Sequence, residues 1–344
     1  MQILNTPLSV NGLTLRNRLV MAPMATAKST PDGAVTPDLC DYYAARAAAG
    51  GLGLIITEHA YILPEGKAAA GQLSIGPDCD PEGLRRLTDA VHQAGNTALF
   101  VQISHAGGAA KPAVTGLPAR APSAVRFSAS PVGEMLQGET VPAPDLNTLT
   151  EADIQRVVQA FAQAALRARE AGFDGVELHS AHGYLLNQFY SPLLNRRTDR
   201  YNGQTLAGRI ALHLEVIRAV REAVGKDYPL ALRLGACDYA PGGSTAEDSA
   251  AAAVEFEKAG VDLLDISGGV CSYRRPGHTE PGYFAGLSRA VRQAVSIPVL
   301  VTGGITEGDQ AEALLEAGDA DLIGVGRALL QDSGWAAAAV QALR

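Results

Sequence analysis

Two histidines and a tyrosine stand close together in the segment HSAHGYLLNQFYSPLLNRRTDRYNG, which runs from His179 to Gly203. His182 follows His179 by three residues, and Tyr184 comes two residues later. Imidazole and phenol side chains both take part in proton transfer in enzymes. Because the segment directly follows the strand-like run DGVEL, the sequence predicts proton chemistry at the end of a strand.

A metal site is one alternative for the histidine pair. Zinc sites use three or four protein ligands, and no further Cys, Glu or His follows here at a recognised spacing. Purely structural roles for His179, His182 and Tyr184 are a second alternative. We expect a site without metal, and both alternatives depend on where the strand lies.

Eight short apolar runs recur along the 344 residues, each followed by a helix-like segment. They are nearly continuous in Val, Ile and Leu, as expected for parallel strands buried on both faces. Eight strand–helix units predict an α/β fold, a (β/α)8 TIM barrel, with a doubly wound open sheet as the alternative. The runs are RLVMAPM (18–24), GLGLIITE (51–58), TALFVQI (97–103), DGVELH (174–179), PLALRLG (229–235), VDLLDIS (261–267), IPVLVTG (297–303) and ADLIGVG (320–326).

Helix-start signals lie between these runs. Thr36-Pro37 pairs an N-cap residue with proline at the first helical position, and Thr150 with Asp153 resembles a capping box. No linker-like stretch divides the chain, so we expect residues 1–344 to form one domain.

Three loops are expected to shape the mouth of the barrel. Residues 104–149 and 180–204 form unusually long connections, and residues 268–282 follow the sixth apolar run. Long loops of this kind are usually lids or binding loops.

Glycines follow the last two predicted strands, in TGGI and GVGR. In TIM barrels these two positions commonly hold a phosphate, because backbone N–H groups can approach its oxygens and a nearby helix N-terminus adds a favourable dipole. Arg327 adds a cation there. The alternative is that the glycines only permit tight turns. Together the two positions predict phosphate binding, with these residues: Gly303, Gly304, Gly326 and Arg327.

Gln102 and Arg233 end two further predicted strands. A carboxamide offers a donor and an acceptor to the edge of a heterocycle, and a cation in an apolar strand needs an anionic or hydrogen-bonding partner. A barrel hydrogen bond and a salt bridge are the ordinary alternatives. Together with the phosphate site, the two residues predict a ligand with a planar polar head and a phosphorylated tail, which fits flavin mononucleotide (FMN).

The composition argues against several other classes of protein. A formal net charge of −8 and a pI near 5.4 disfavour nucleic-acid and anionic-membrane partners. The four cysteines include no CxxC pair, which argues against a disulfide framework, a zinc ribbon or an iron–sulfur cluster. With neither a membrane-length apolar run nor a signal peptide recognised, we expect a cytoplasmic enzyme.

The central segment resembles the hallmark motif of the Old Yellow Enzyme family of FMN-dependent oxidoreductases. Four other stretches match that family in the same order, so the resemblance covers essentially the whole chain. They are NRLVMAPMAT (17–26), YYAARAAAGGLGLIITE (42–58), FVQISHAGG (100–108) and VLVTGGI with ADLIGVGRALL (299–330).

The resemblance implies a barrel that holds FMN non-covalently. Pro23, Met24 and Ala25 would lie along the isoalloxazine ring system. Gln102 would bond its pyrimidine portion, and Arg233 would lie near the N1–C2 carbonyl region. The phosphate would be bound by Gly303, Gly304, Gly326 and Arg327.

The resemblance also implies roles for the histidine–tyrosine segment. His179 and His182 would bind the carbonyl oxygen of an α,β-unsaturated substrate, where hydride transfer to the β-carbon develops negative charge. Tyr184, protonated at neutral pH, would supply the proton to the α-carbon. The implied activity is ping-pong reduction of enone-type or enal-type C=C bonds with electrons from NADPH or NADH.

The sequence departs from the family pattern at several positions. Ala25 replaces a frequent Thr or Cys, Ala27 replaces a frequent aromatic residue, and His59 stands where a small residue is common. The pattern is closest to the barrel domain of 2,4-dienoyl-CoA and enoate reductases. The chain resembles a stand-alone barrel that takes electrons directly from NAD(P)H, and homo-oligomers are possible.

Three alternative functions remain. The same FMN barrel could act as a dehydrogenase or amine demethylase, although the His/His/Tyr set favours carbonyl compounds. A cofactor-free sugar-phosphate lyase or isomerase would leave Gln102 and Arg233 without a role. A flavin-binding module without turnover would leave the His/His/Tyr set unexplained.

Overall fold

The computed structural model describes residues 2–343 and contains a closed barrel of eight parallel strands. Each barrel strand pairs with the next in chain order, and the last pairs with the first to close the barrel. The predicted (β/α)8 fold is therefore confirmed. The barrel strands are β3 (Leu19–Met21), β4 (Leu54–Tyr61), β5 (Ala98–Ser104), β10 (Gly175–Ser180), β11 (Leu230–Gly235), β12 (Leu263–Ser267), β13 (Val299–Thr302) and β14 (Leu322–Val325).

The remaining strands form three small two-stranded sheets outside the barrel. One of these sheets is a hairpin of Leu8–Val10 and Leu13–Leu15, which packs Val10 and Leu15 against the first residues of the barrel strands and so closes the amino-terminal end of the barrel. These strands are β1 (Leu8–Val10), β2 (Leu13–Leu15), β6 (Arg120–Ala121), β7 (Val125–Val132), β8 (Met135–Pro142) and β9 (Asn147–Thr148).

Two helices begin at the start signals that the sequence predicts. Thr36 caps α1 with proline at the first position, and Thr150 with Asp153 forms a complete capping box on α4. The helices are α1 (Pro37–Ala49), α2 (Pro81–Ala94), α3 (Pro112–Thr115), α4 (Glu151–Glu170), α5 (Leu185–Tyr190), α6 (Leu206–Val224), α7 (Ala246–Ala259), α8 (Ala285–Ala294), α9 (Gly308–Glu316), α10 (Arg327–Gln331) and α11 (Trp335–Ala342), with short 3-10 turns at Pro64–Gly66 and Gly107–Ala109.

The core has two layers. A small cluster inside the barrel includes Val20, Phe100 and Leu300, and a larger cluster fills the space between the strands and the surrounding helices. Both faces of the strands are therefore buried, which explains why their sequences are continuously apolar. In residues 2–343, no helix combines the length and the hydropathy needed to cross a membrane.

The long connection 104–149 contains structure that the sequence analysis did not predict. Its centre is the antiparallel hairpin β7–β8, which is mostly exposed. Glu134 at the hairpin tip lies 3.7 Å from Arg275 and 3.4 Å from His278 of the 268–282 loop. The tip therefore rests on a loop at the carboxyl end of the barrel.

Candidate functional site

A cavity of about 430 Å³ opens at the carboxyl ends of the barrel strands, where TIM barrels place their chemistry. It brings together every residue that the sequence analysis selected for the site. These are Pro23, Met24, Ala25, Gln102, His179, His182, Tyr184, Arg233, Gly303, Gly304, Gly326 and Arg327.

The histidine pair and Tyr184 form one aromatic cluster in this cavity. The ring centroids of His179 and His182 are 5.2 Å apart, and those of His179 and Tyr184 are 4.9 Å apart. His182 has a φ of 60°, a left-handed conformation that is uncommon outside glycine and costs backbone strain. That turn of the backbone after β10 lets His182 and Tyr184 line the same cavity as His179.

Burial keeps these three side chains in their uncharged forms. Desolvation lowers the pKa of His179 and of His182 well below the ordinary value, and the charge of Arg233 acts in the same direction. Desolvation also raises the pKa of Tyr184. At neutral pH the cavity therefore contains neutral imidazoles and a protonated phenol.

One nitrogen of His182 already has a partner. Its Nε2 lies 2.8 Å from the hydroxyl oxygen of Ser267 at the end of β12. His179 differs, because its buried Nδ1 has no hydrogen-bond partner among residues 2–343. His182 is thus oriented by the barrel wall, while His179 is held by packing.

Gln102 is oriented from below the cavity by a buried carboxyl group. Its Nε2 donates a 2.8 Å hydrogen bond to Oε1 of Glu177, which is fully buried. Burial, with Asp265 nearby, raises the pKa of Glu177 to about 8. Because the Gln102 amide nitrogen donates to Glu177 below the cavity, its carbonyl oxygen is free to accept a hydrogen bond from a ligand.

Arg233 lies beside a second buried carboxyl group. Its Nε is 3.0 Å from Oδ2 of Asp265, a close charge contact without the alignment of a hydrogen bond. Burial raises the pKa of Asp265 to about 6, and the Arg233 charge opposes that rise. A guanidinium in this position still has donors for an additional hydrogen-bonding partner.

The glycines after β13 and β14 add no side chain of their own to the cavity wall, which other residues approach closely. A Cβ on Gly304, whose φ is 69°, would lie 2.8 Å from the Glu280 carbonyl oxygen. A Cβ on Gly326 would lie 2.7 Å from Sδ of Met24. Backbone amides of glycines beside Arg327 are groups that can bind a phosphate.

The structure adds lining residues that the sequence analysis did not select. Tyr273 and Arg274 come from the 268–282 loop, as expected of that loop, and Tyr283 packs against Gly303. The 104–149 loop, in contrast, contributes no lining residue, and neither does Ala27. The 104–149 loop instead encloses a neighbouring cavity of about 350 Å³.

Glu177 and Asp265 could have been found from the sequence by their type alone. Each is an acidic residue inside an otherwise apolar strand, and such a charge needs a buried partner. Their partners depend on strand register, which pairs Glu177 with Gln102 and Arg233 with Asp265. Within residues 2–343, no group of three or more His, Cys, Asp or Glu side chains is placed to hold a metal ion.

Known proteins resemble this chain over nearly its full length. It is 40% identical to an NADH oxidase of Thermoanaerobacter brockii over 95% of this chain, although it spans only 49% of that relative. It is also 40% identical to an NADPH dehydrogenase of Geobacillus thermodenitrificans, covering 99% of this chain and 94% of that protein. The solved structure of an old yellow enzyme homologue from Zymomonas mobilis superposes with a TM-score of 0.83 at 28% identity, covering 99% of this chain and 93% of that one.

Residues 3–344 match the NADH:flavin oxidoreductase / NADH oxidase family. The match confirms the predicted resemblance to the Old Yellow Enzyme family and FMN as the predicted cofactor. The chain belongs to the NADH:flavin oxidoreductase / NADH oxidase family.

Proposed function

We propose that this protein reduces the C=C bond of α,β-unsaturated carbonyl compounds, with FMN as cofactor and NADPH or NADH as electron donor. The observation that carries the proposal is the cluster of His179, His182 and Tyr184 in one cavity with Gln102 and Arg233. NAD(P)H and the alkene would use this cavity in turn, which is a ping-pong mechanism.

The cavity fits FMN by the chemistry of its two ends. One end offers the free carbonyl oxygen of Gln102 and the guanidinium of Arg233 to the polar edge of the isoalloxazine. Pro23, Met24 and Ala25 would line the ring system. The other end offers the glycine backbone of Gly303, Gly304 and Gly326 and the cation Arg327 to the phosphate. Bound FMN would supply the hydride exchange with NAD(P)H and with the alkene.

The protein's own residues would supply the polar part of the reaction. Neutral N–H donors from His179 and His182 would hold the substrate carbonyl oxygen and stabilise the negative charge that develops there. Removal of a comparable donor elsewhere lowers kcat by about 10²–10³-fold. Tyr184, whose pKa is raised by burial, would keep its proton at neutral pH until the α-carbon takes it.

The proposal is tested with purified protein and cyclohexenone. We expect FMN to be released on denaturation, and we expect cyclohexanone to form in proportion to the NADPH or NADH consumed. The double variant His179→Ala/His182→Ala should bind FMN but form little product. A flavin-bound wild-type protein that consumes nucleotide with oxygen yet leaves cyclohexenone and other activated alkenes unchanged would contradict the proposal.

A further inference from the structure

His59 lines the cavity from β4, beside the residues proposed for catalysis. Its ring centroid lies 5.4 Å from that of Tyr184 and 6.1 Å from that of His179. A third imidazole therefore stands beside the proposed catalytic cluster. The hydrogen bonds around His59 decide what its ring can offer to a ligand.

Gln72 makes a hydrogen bond with Nδ1 of His59, the ring nitrogen that faces away from the cavity. Oε1 of Gln72 accepts a 2.7 Å hydrogen bond from the backbone N–H of Ala68, which identifies the other end of the amide as the NH2 group. That NH2 group lies 3.0 Å from the carbonyl oxygen of His59 and 2.7 Å from its Nδ1. Both contacts are satisfied only if Gln72 donates to each of them.

This arrangement determines the tautomer of His59. Because Nδ1 accepts a hydrogen bond, the proton of the neutral ring must be on Nε2. Desolvation, reinforced by the charge of Arg233, lowers the pKa of His59 to about 4, so the ring stays neutral near pH 7. Among residues 2–343, Nε2 has no hydrogen-bond partner, and its N–H remains available in the cavity.

We propose that His59 is a specificity-determining residue whose Nε2–H binds a second oxygen acceptor on the substrate. The substrate class is activated alkenes that carry another oxygen-bearing group besides the carbonyl held by His179 and His182. This inference rests on the proposed function, because the first carbonyl must lie at the histidine pair.

The order of the rings supports this class of substrate. His182 is 5.2 Å from His179, and His59 lies 6.1 Å from His179. In residues 2–343 ring contacts join His59 to His179 and to Tyr184 but not to His182, so an oxygen atom held between His179 and His182 lies away from His59. The Nε2–H of His59 would therefore donate its hydrogen bond to an acceptor elsewhere on the substrate.

The tautomer is tested by nitrogen NMR of the FMN-loaded protein with labelled histidine rings, and His59→Ala assigns the signals. We expect the Nε2–H pattern of a neutral ring, unchanged between about pH 6 and about pH 8. In Gln72→Met, which removes the donor to Nδ1, a share of the Nδ1–H form should appear. A wild-type ring protonated on Nδ1, or one that titrates in this range, would overturn the inference.

The ligand role is tested with two phenols that differ in the second acceptor, 4-hydroxybenzaldehyde and 4-methylphenol. The dissociation constant of each is measured by its effect on the flavin absorption spectrum. In His59→Ala the preference for the aldehyde should fall by about threefold to tenfold, the value of one neutral hydrogen bond. Gln72→Met should lose part of this preference, and the surface control His92→Ala should keep it.

The outcomes separate this inference from the proposed function. Equal loss of affinity for both phenols in His59→Ala, or an unchanged preference, would show that His59 is only a packing residue. Failure of the wild-type protein to bind FMN or any phenol would instead refute the proposed function, and the same NMR experiment on the protein without FMN would still report the tautomer.

Discussion

Gln102 donates its amide hydrogen to Glu177 across the β5–β10 strand pair, at a nitrogen–oxygen distance of 2.8 Å. Glu177 precedes His179 by two residues, so both side chains lie on the same face of β10. The proposed flavin-binding amide and the proposed oxyanion donor are therefore positioned by one strand and its neighbour.

Glu177 is predicted to hold the carbonyl oxygen of Gln102 towards FMN. In Glu177→Met the amide loses its acceptor and can rotate, so the FMN dissociation constant should rise by about tenfold. Glu177→Gln keeps an acceptor at the same place and should retain most of the affinity. Titration of apoprotein with FMN, followed by quenching of flavin fluorescence, gives both values.

A matched control for this change is Leu178→Met, the neighbouring residue whose side chain faces the opposite side of β10. It should leave the FMN dissociation constant near that of the wild type. Equal affinities in Glu177→Met and the wild type would remove the positioning role of Glu177.

The eight strands and their order along the chain could be predicted because strands buried on both faces leave a continuous apolar pattern. The cavity residues followed, since they stand at the ends of those strands. Strand register is not readable in the same way, so the pairing of Arg233 with Asp265 emerged only from the fold. The conformation of the loops could not be predicted from the sequence either. Only the structure shows that Tyr273 and Arg274 line the cavity.

Arg327 is predicted to bind the phosphate of FMN and no other part of it. Arg327→Ala should raise the dissociation constant of FMN by about tenfold to a hundredfold, as expected for a hydrogen bond to a charged group. Riboflavin lacks the phosphate, and its affinity should be unchanged. A parallel loss for riboflavin would mean that Arg327 supports the cavity in another way.

The histidine pair is predicted to bind phenolate-type ligands, whose charge resembles the oxyanion of the reaction. His179→Ala and His182→Ala should each weaken phenol binding and lower the rate of alkene reduction by about 10²–10³-fold. The FMN content should stay near that of the wild type. Phenol affinity that survives both substitutions would exclude the oxyanion role.

The buried carboxyl group of Glu177 predicts a pH dependence of stability. Its pKa rises from 4.5 to about 8 on folding, so its favourable contribution is complete below pH 4.5 and is lost as the pH rises to about 8. Folding lowers the pKa of the buried His59 and His105 from 6.5 to about 4. These two residues therefore make the free energy of unfolding rise with pH, but only below pH 6.5.

Between pH 6.5 and pH 8 the free energy of unfolding should therefore fall as the pH rises. Urea denaturation across this interval measures the free energy of unfolding. Glu177→Gln is the comparison, because its side chain does not titrate. The variant should show a flatter dependence. If the free energy of unfolding depended on pH equally in the two proteins, the titrating group would be a residue other than Glu177.

The central claim is that Tyr184 donates a proton to the substrate in this cavity. The most direct test is stopped-flow absorbance of the two half-reactions in the wild type and in Tyr184→Phe, under anaerobic conditions. Flavin reduction by NADPH should proceed at nearly the same rate in both proteins, while reoxidation by cyclohexenone should be much slower in the variant. Equal slowing of both half-reactions, or reoxidation at the wild-type rate, would contradict the account.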